Sequence, residues 1–365
     1  MIERIKENFR KNHRSLFMVE NKDLTKKIYE LYEMFRVCFG IESEVRKLIV
    51  KTNNLKYLND LSSKQLGKTV DFLIIEQFTD LSPNTLLRFL ETVAGKGFII
   101  LLSDELNLGN FNIRAIRMLK EKAFIVKDVF LLDKIMKSIS CEKNFLIDNY
   151  NRELKLTEDQ DKILKNIVKI LKPNCKGFAS ILASRGRGKT VVLASVILEA
   201  IFKGIDFIII TSFYIENIQP LYGFLLNLLK ENFDKSEIKI KYYKSNIIKS
   251  INVLNRCSVD FVNIGNECIL SCNLLIVDEA ASIPLNYLKS IIKCKRVITS
   301  TTCDGYERTG RSFIQKFNKF IINSNLNFSE YKLSVPIRYG ADDWLEKLLQ
   351  EIYMPICEIK EINKE

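Results

Sequence analysis

One stretch limits the fold more than any other. Ala183-Ser-Arg-Gly-Arg-Gly-Lys-Thr190 follows the apolar run Phe178–Leu182 and precedes a helical pattern over Thr190–Phe202. A strand, a glycine-rich turn and a helix in that order make a phosphate-binding loop, and a parallel sheet is needed to present it. The usual pattern begins with glycine where this chain has Ala183, but the physics survives the change. Gly186 and Gly188 can turn successive backbone N–H groups inward around phosphate oxygens. The helix starting near Lys189 brings about half a positive charge at its N-terminus. On this reading Lys189 neutralises the β- and γ-phosphates and the Thr190 hydroxyl holds Mg²⁺, so the expected ligands are ATP and Mg²⁺.

The rest of the chain fits such a sheet, because short apolar runs alternate with longer helical patterns. In the first part, strands are expected at Ser15–Val19, at Phe72–Ile75 ending on Glu76, at Phe98–Leu102 and at Phe145–Ile147. Helices are expected from Leu24 and from Pro83 through Val93. The polar stretch Asp148-Asn-Tyr-Asn-Arg-Glu153 reads as a junction, which gives domains of 1–150 and 151–365. In the second part Thr157 caps a helix reaching about Leu171. Strands follow at Phe178–Leu182, Phe207–Ile210, Leu274–Val277 and Arg296–Thr299, with helices at Ile215–Lys230 and Pro284–Ile292. The Lys-rich stretch Asp234–Ser271 has no regular pattern. Ser15-Leu-Phe-Met-Val19 matches Phe178-Ala-Ser-Ile-Leu182 in place, and Phe72-Leu-Ile-Ile-Glu76 matches Leu274-Leu-Ile-Val-Asp278. The first copy has Glu20-Asn-Lys-Asp23 where the second has glycines. Two readings stay open: a RecA-like domain that has lost its phosphate loop, or an unrelated α/β domain. The expected fold is therefore α/β, a RecA-like P-loop domain with a parallel sheet behind a smaller α/β domain.

Asp278 and Glu279 end an apolar strand downstream of the loop. Asp278 suits a Mg²⁺ or Mg²⁺-water ligand, and Glu279 suits the group that polarises an attacking water. Asp-Glu-Ala-Ala is typical of helicase-like ATPases. Three weaker signals agree with this. Gln160 lies before the phosphate-loop strand, where such proteins read the adenine edge. Thr299-Ser-Thr-Thr302 ends the next strand, the place of the element that couples hydrolysis to nucleic acid. Thr211-Ser212 ends the strand after the loop helix, where a sugar-phosphate backbone is commonly touched.

Composition excludes other chemistry. Nine scattered cysteines with no CxxC pair support neither a disulfide framework nor a zinc site. His13 is the one histidine and reads as a surface residue, so histidine-dependent triads are not expected. The first thirty residues are charged, unlike a signal peptide, and no apolar run approaches the ~20 residues that span a bilayer. A soluble chain in a reducing, intracellular compartment is expected. The net charge of +12 suits an anionic partner, although a genome-wide lysine bias would produce the same excess.

Gly186-Arg-Gly-Lys-Thr190, Leu275-Ile-Val-Asp-Glu-Ala-Ala-Ser-Ile-Pro-Leu285, Thr302-Cys-Asp-Gly-Tyr-Glu-Arg-Thr-Gly-Arg-Ser312 and Pro336-Ile-Arg-Tyr339 together resemble the RNA cytidine acetyltransferases. Arg14-Ser-Leu-Phe-Met-Val19, Leu81-Ser-Pro-Asn-Thr-Leu86 and Glu91-Thr-Val93 are similar to that family's first domain, most of all to its eukaryotic branch. The family makes N4-acetylcytidine in tRNA and small-subunit rRNA, and it shares Ala at position 183. The resemblance implies a nucleotide site running through Gly186, Arg187, Gly188, Lys189, Thr190, Val191, Val192, Leu193, Ala194 and Ser195. It also implies Arg338 as an arginine finger in cis, and Arg311 as a further phosphate or RNA contact. RNA (rRNA and tRNA) is the implied partner, together with ribosome-assembly proteins or a tRNA adaptor. It implies a nuclear, nucleolar location, no membrane, and room for an oligomer. The family's acetyl-CoA turn, Gln/Arg-x-x-Gly-x-Gly/Ala, does not occur here. Acetyl-CoA is accordingly expected only with a further C-terminal domain, and acetyl transfer is not expected of this chain alone. The rival readings are a helicase or translocase without acetyl transfer, and an ATP-dependent ribosome assembly factor.

Overall fold

The computed structural model describes residues 1–51, 69–78, 81–102, 110–140, 156–173, 175–244, 246–302, 317, 319–322, 324 and 327–353. The chain forms two units, Met1–Leu154 with Pro336–Glu365, and Lys155–Val335. The expected junction at 148–153, the strand at Phe145–Ile147, Arg311 and most of the Gly-Tyr-Glu stretch lie outside the described residues.

The first unit holds β1 (Ser15–Val19), β2 (Lys47–Val50), β3 (Val70–Glu76), β4 (Val93–Leu102) and β5 (Phe124–Val126). All pair in parallel, in the order β2-β3-β4-β1-β5. Strands covered on both faces must be apolar almost throughout, which is why β1 and β4 read as unbroken runs. Phe98 of β4 sits at the centre of the core, with the Phe17 and Tyr32 rings 4.8 and 5.0 Å away. Burying each such side chain contributes about 1.5–3 kcal/mol. The helix opened by Pro83 stops at Leu90 rather than Val93. There the Thr92 carbonyl accepts from Val70 N, and the backbone passes into the sheet.

The segment from Pro336 belongs to this first unit for a specific reason. Arg14 and Asp343 are both fully buried and paired at 2.6 Å. The Trp344 indole donates to the Arg14 carbonyl at 3.0 Å, and Gly340 N donates to the Asn12 carbonyl at 2.8 Å. His13 is buried against Gly340, which corrects the surface placement: it is only 9% exposed, and desolvation lowers its pKa.

The second unit holds β6 (Gly177–Ala183), β7 (Phe207–Thr211), β8 (Ile238–Lys244), β9 (Ile247–Val253), β10 (Cys257–Phe261), β11 (Leu274–Val277), β12 (Arg296–Thr302) and β13 (Phe328–Leu333). The sheet order is β13-β6-β12-β11-β7-β10-β9-β8. Strands β13 through β10 run parallel, and β9 and β8 close the edge antiparallel. The irregular Asp234–Ser271 stretch thus contains a three-stranded antiparallel extension.

Among β6, β7, β11, β12 and β13, numbered one to five along the chain, the spatial order is five-one-four-three-two. The first unit has the same order, β5-β1-β4-β3-β2. This is the RecA-like arrangement, and it occurs in both units. It favours the reading of the first unit as a degenerate copy. A finer detail agrees with it. Gln77, which follows Glu76, has φ +51°, and Glu279, which follows Asp278, has φ +49°. Such angles are uncommon away from glycine, so their recurrence at matching strand ends is informative.

Candidate active site

The phosphate loop is built as the glycines require. Gly186 and Gly188 have φ of +74° and +77°, a region that a Cβ disfavours. Gly188 is the N-cap of the helix Lys189–Phe202. Among the described residues no side chain caps that helix, and the N–H groups of Gly186, Gly188, Lys189 and Thr190 meet no acceptor. Donors without an acceptor at a helix N-terminus suit an anion. Behind them Val192, Leu193 and Ala194 are fully buried, and Ser195 Oγ donates to the Val191 carbonyl at 3.0 Å. These residues of the predicted Gly186–Ser195 set hold the helix rather than face a ligand.

Gln160 supports the loop from below. Its Nε2 donates to the carbonyls of Arg187 and Gly188, both at 3.3 Å, and its Oε1 accepts from Thr157 N at 3.0 Å. It closes a capping box on the helix Glu158–Ile167 and is 1% exposed. Reading an adenine edge would require exchanging bonds that now shape the phosphate loop. The neighbouring Asp159 carboxylate accepts from Ser334 N and Val335 N at 3.1 and 3.2 Å.

Asp278 and Glu279 extend β11 at the level of the loop. Asp278 N donates to the Thr211 carbonyl at 3.0 Å, so pairing with β7 runs one residue past the strand. Asp278 Oδ1 accepts from Ser300 Oγ and from Glu279 N, and no described residue donates to Oδ2. Burial, then the adjacent Glu279 carboxylate, pushes the Asp278 carboxyl up to about 6, against the pull of Ser300 and Lys189. Glu279 leaves the strand in the left-handed region (φ +49°, ψ +50°), a conformation costing roughly 1–2 kcal/mol for a residue with a Cβ. This turn carries its carboxylate to Thr302, whose hydroxyl lies 3.1 Å from both oxygens. Lys189 Nζ donates to the same hydroxyl at 2.9 Å and stands 3.9 Å from Glu279 Oε1.

The structure therefore brings together Lys189, Asp278, Glu279 and the end of β12. Ser300 and Thr302, within a stretch expected only to couple to nucleic acid, each hold one of the two acids. The strand register explains this. Val277 lies beside Thr299, which sets Asp278 beside Ser300 on one face. Thr211 and Ser212 are 0% and 1% exposed, so these side chains face no nucleic acid, which corrects that expectation. The exposed residues there are the next two, Phe213 and Tyr214. Arg338 lies in the first unit, where its Nη1 donates to the Glu91 carbonyl at 2.7 Å.

Thr190 and Asp278 test the fit for Mg²⁺. The Thr190 hydroxyl has no described partner and Asp278 Oδ2 has no described donor, and hard oxygen donors of this kind suit that ion. Among the described residues no group of three or more His, Cys, Asp and Glu could hold a metal by itself. No described helix is long and apolar enough to cross a membrane.

Comparison with known proteins agrees with this architecture. Residues 180–354 match the family model "RNA cytidine acetyltransferase NAT10/TcmA, helicase domain", and residues 2–147 match "tRNA(Met) cytidine acetyltransferase TmcA, N-terminal". The tRNA(Met) cytidine acetyltransferase TmcA of Pyrococcus abyssi is 28% identical over 92% of this chain and 44% of its own length. The human RNA cytidine acetyltransferase is 25% identical over 85% of this chain and 39% of its own. Archaeal and eukaryotic relatives stand at similar identity, so the eukaryotic branch is not singled out. The chain spans about half the length, or less, of these relatives. The large terminase of bacteriophage HK97 is 12% identical over 58% of this chain and 49% of that one, at a TM-score of 0.42. That overlap is too loose to add to the sheet order. Through these two matched regions, the chain belongs to the RNA cytidine acetyltransferase family.

Proposed function

We propose that Lys155–Val335 binds and hydrolyses ATP, serving as the motor of an RNA cytidine acetyltransferase and coupling hydrolysis to the placement of substrate RNA. The observation that carries this reading is the chain of contacts Lys189–Thr302–Glu279 beside Asp278–Ser300, set at the mouth of a loop where the N–H groups of Gly186, Gly188, Lys189 and Thr190 meet no acceptor among the described residues. The loop N–H groups and Lys189 bind the phosphates, and Thr190 with Asp278 would hold Mg²⁺. When bound, that ion neutralises charge developing on the β- and γ-phosphates. Glu279 orients and polarises the attacking water, with Thr302 fixing its carboxylate. Val191 and its buried neighbours keep the helix N-terminus aimed at the site.

The relatives' names support RNA as the partner, with tRNA or rRNA as the class acted on. Acetyl transfer from acetyl-CoA belongs to the longer proteins. A role in ribosome maturation, with assembly proteins and a nucleolar location, is the corresponding proposal for cells that have a nucleus. The test is Glu279→Gln. Phosphate release should fall by about 10²–10⁴-fold while binding of a non-hydrolysable ATP analogue is kept. Hydrolysis at the parent rate would overturn the assignment.

A further inference from the structure

The hairpin β8–β9 takes no part in the nucleotide site, yet its composition is one-sided. Ile238–Val253 carries Lys239, Lys241, Lys244 and Lys249 and no Asp or Glu. One face is used in folding: Ile251 and Val253 are fully buried, and Ile238 packs on the same core. Lys239, Lys241 and Lys249 are exposed. Lysines on an edge strand commonly do no more than block pairing with another chain. That role does not account for Tyr242 and Tyr243 beside them, 54% and 60% exposed. Large aromatics at the surface weaken such a block, whereas aromatics among cations suit stacked bases and phosphates.

The topology places these tyrosines usefully. β10 is parallel to β7 and antiparallel to β9, which is antiparallel to β8. The C-terminal ends of β11, β7 and β8 therefore share one edge of the sheet. Moving outward from Asp278, the edge first meets Phe213 and Tyr214, exposed and packed edge to face at 4.7 Å. It then reaches Tyr242 and Tyr243, four strand spacings or roughly 19 Å from β11. The hairpin is fixed to the helix Gln219–Asn232, which follows Phe213 and Tyr214. The Gln219 side chain exchanges two bonds with the Ile248 backbone, at 2.8 and 3.0 Å, and the Tyr222 hydroxyl donates to the Lys249 carbonyl at 3.0 Å.

We propose that this edge is a docking surface for single-stranded RNA. Bases stack on Tyr242, Tyr243, Phe213 and Tyr214, and Lys239, Lys241 and Lys249 take the phosphates. The choice of RNA rests on the function proposed above. The surface itself lies outside the residues that hold ATP.

The test uses the full chain and a fluorescent oligouridine of about twelve nucleotides, comparable to known single-strand site sizes. Anisotropy is read across a salt series. Tyr242→Ala with Tyr243→Ala should weaken binding at least roughly tenfold. Lys239→Gln with Lys241→Gln should flatten the plot of log affinity against log salt by about 1.4, from ~0.7 per phosphate contact. Neither pair should alter ATP hydrolysis without RNA. Unchanged affinity and slope in both, or no RNA binding by the parent chain, overturns the proposal. The first of these results would assign the edge to a protein strand instead. ATP hydrolysis by a parent that binds no RNA leaves the ATPase reading standing alone. Loss of RNA in the variants of a parent without ATPase activity leaves the docking surface standing alone.

Discussion

The two sheets share one strand order, yet a glycine turn follows the first strand of only the second. After β6 the chain turns through Gly186 and Gly188, whereas after β1 it runs through Glu20, Asn21 and Lys22 straight into a helix. β12 ends in Ser300, Thr301 and Thr302, while its counterpart β4 ends in Ile100, Leu101 and Leu102. Lys22 caps the helix after β1, where Gly188 caps the helix after β6, and it closes at 3.0 Å on Glu76, the counterpart of Asp278. Gln77 stands where Glu279 stands. The fold supplies a place at the carboxyl edge of a sheet, and phosphate chemistry needs glycines, hydroxyls and a lysine at the loop added to it.

The largest break in this comparison should come from Lys189→Ala. Loss of a charge aimed at the transferring phosphoryl group costs at least roughly 10²-fold in rate, and phosphate release should approach background. The matching Lys22→Ala should leave hydrolysis unchanged, so an equal loss in both would remove the distinction between the sheets. Next in size is Asp343→Ala, which strands Arg14 without its buried partner at a cost of about 3–5 kcal/mol. Trp344, the one tryptophan, donates to the Arg14 carbonyl, so its fluorescence reports this loss. Burial works to raise the Asp343 carboxyl, but the Arg14 charge and hydrogen bonds hold it below the usual range. The sign follows directly. The pair's stabilisation is complete above the ordinary aspartate value of about 4 and is lost as pH falls through the lower folded one. An acid titration of Asp343→Asn should lack that component.

Gly186→Ala should have a smaller effect, since it forces a Cβ into φ +74° at about 1–2 kcal/mol. Roughly tenfold weaker ATP binding with the fold intact is the result that calorimetry should give. Gln77→Glu should do nothing measurable. It restores an acid to the first sheet without glycines or hydroxyls, so a gain in hydrolysis would show that the acid alone had been missing.

The residues legible in advance were those whose burial forces a pattern. β1, β6 and β11 are covered on both faces and read as apolar runs, and the phosphate loop declared itself through glycine spacing. β2 and β5 are short and partly exposed, so they left no such run. β8 and β9 mix lysine and isoleucine because one face is wet, and their pairing is antiparallel. Gln160 could be located but its bonds could not, since these depend on a capping box closing against the loop. Ser300 and Thr302 required the register of β12 on β11. Arg338 required knowing where the chain returns.

That return sets an order of events during synthesis. Arg14 leaves the ribosome long before Asp343, which is 329 residues further along the chain. At about 5–20 residues per second the wait is tens of seconds, during which the guanidinium has no carboxylate to be buried with. The entire second unit is made within that interval. The unit begun first is thus the one closed last, and Arg14 must wait for the partner that its burial requires.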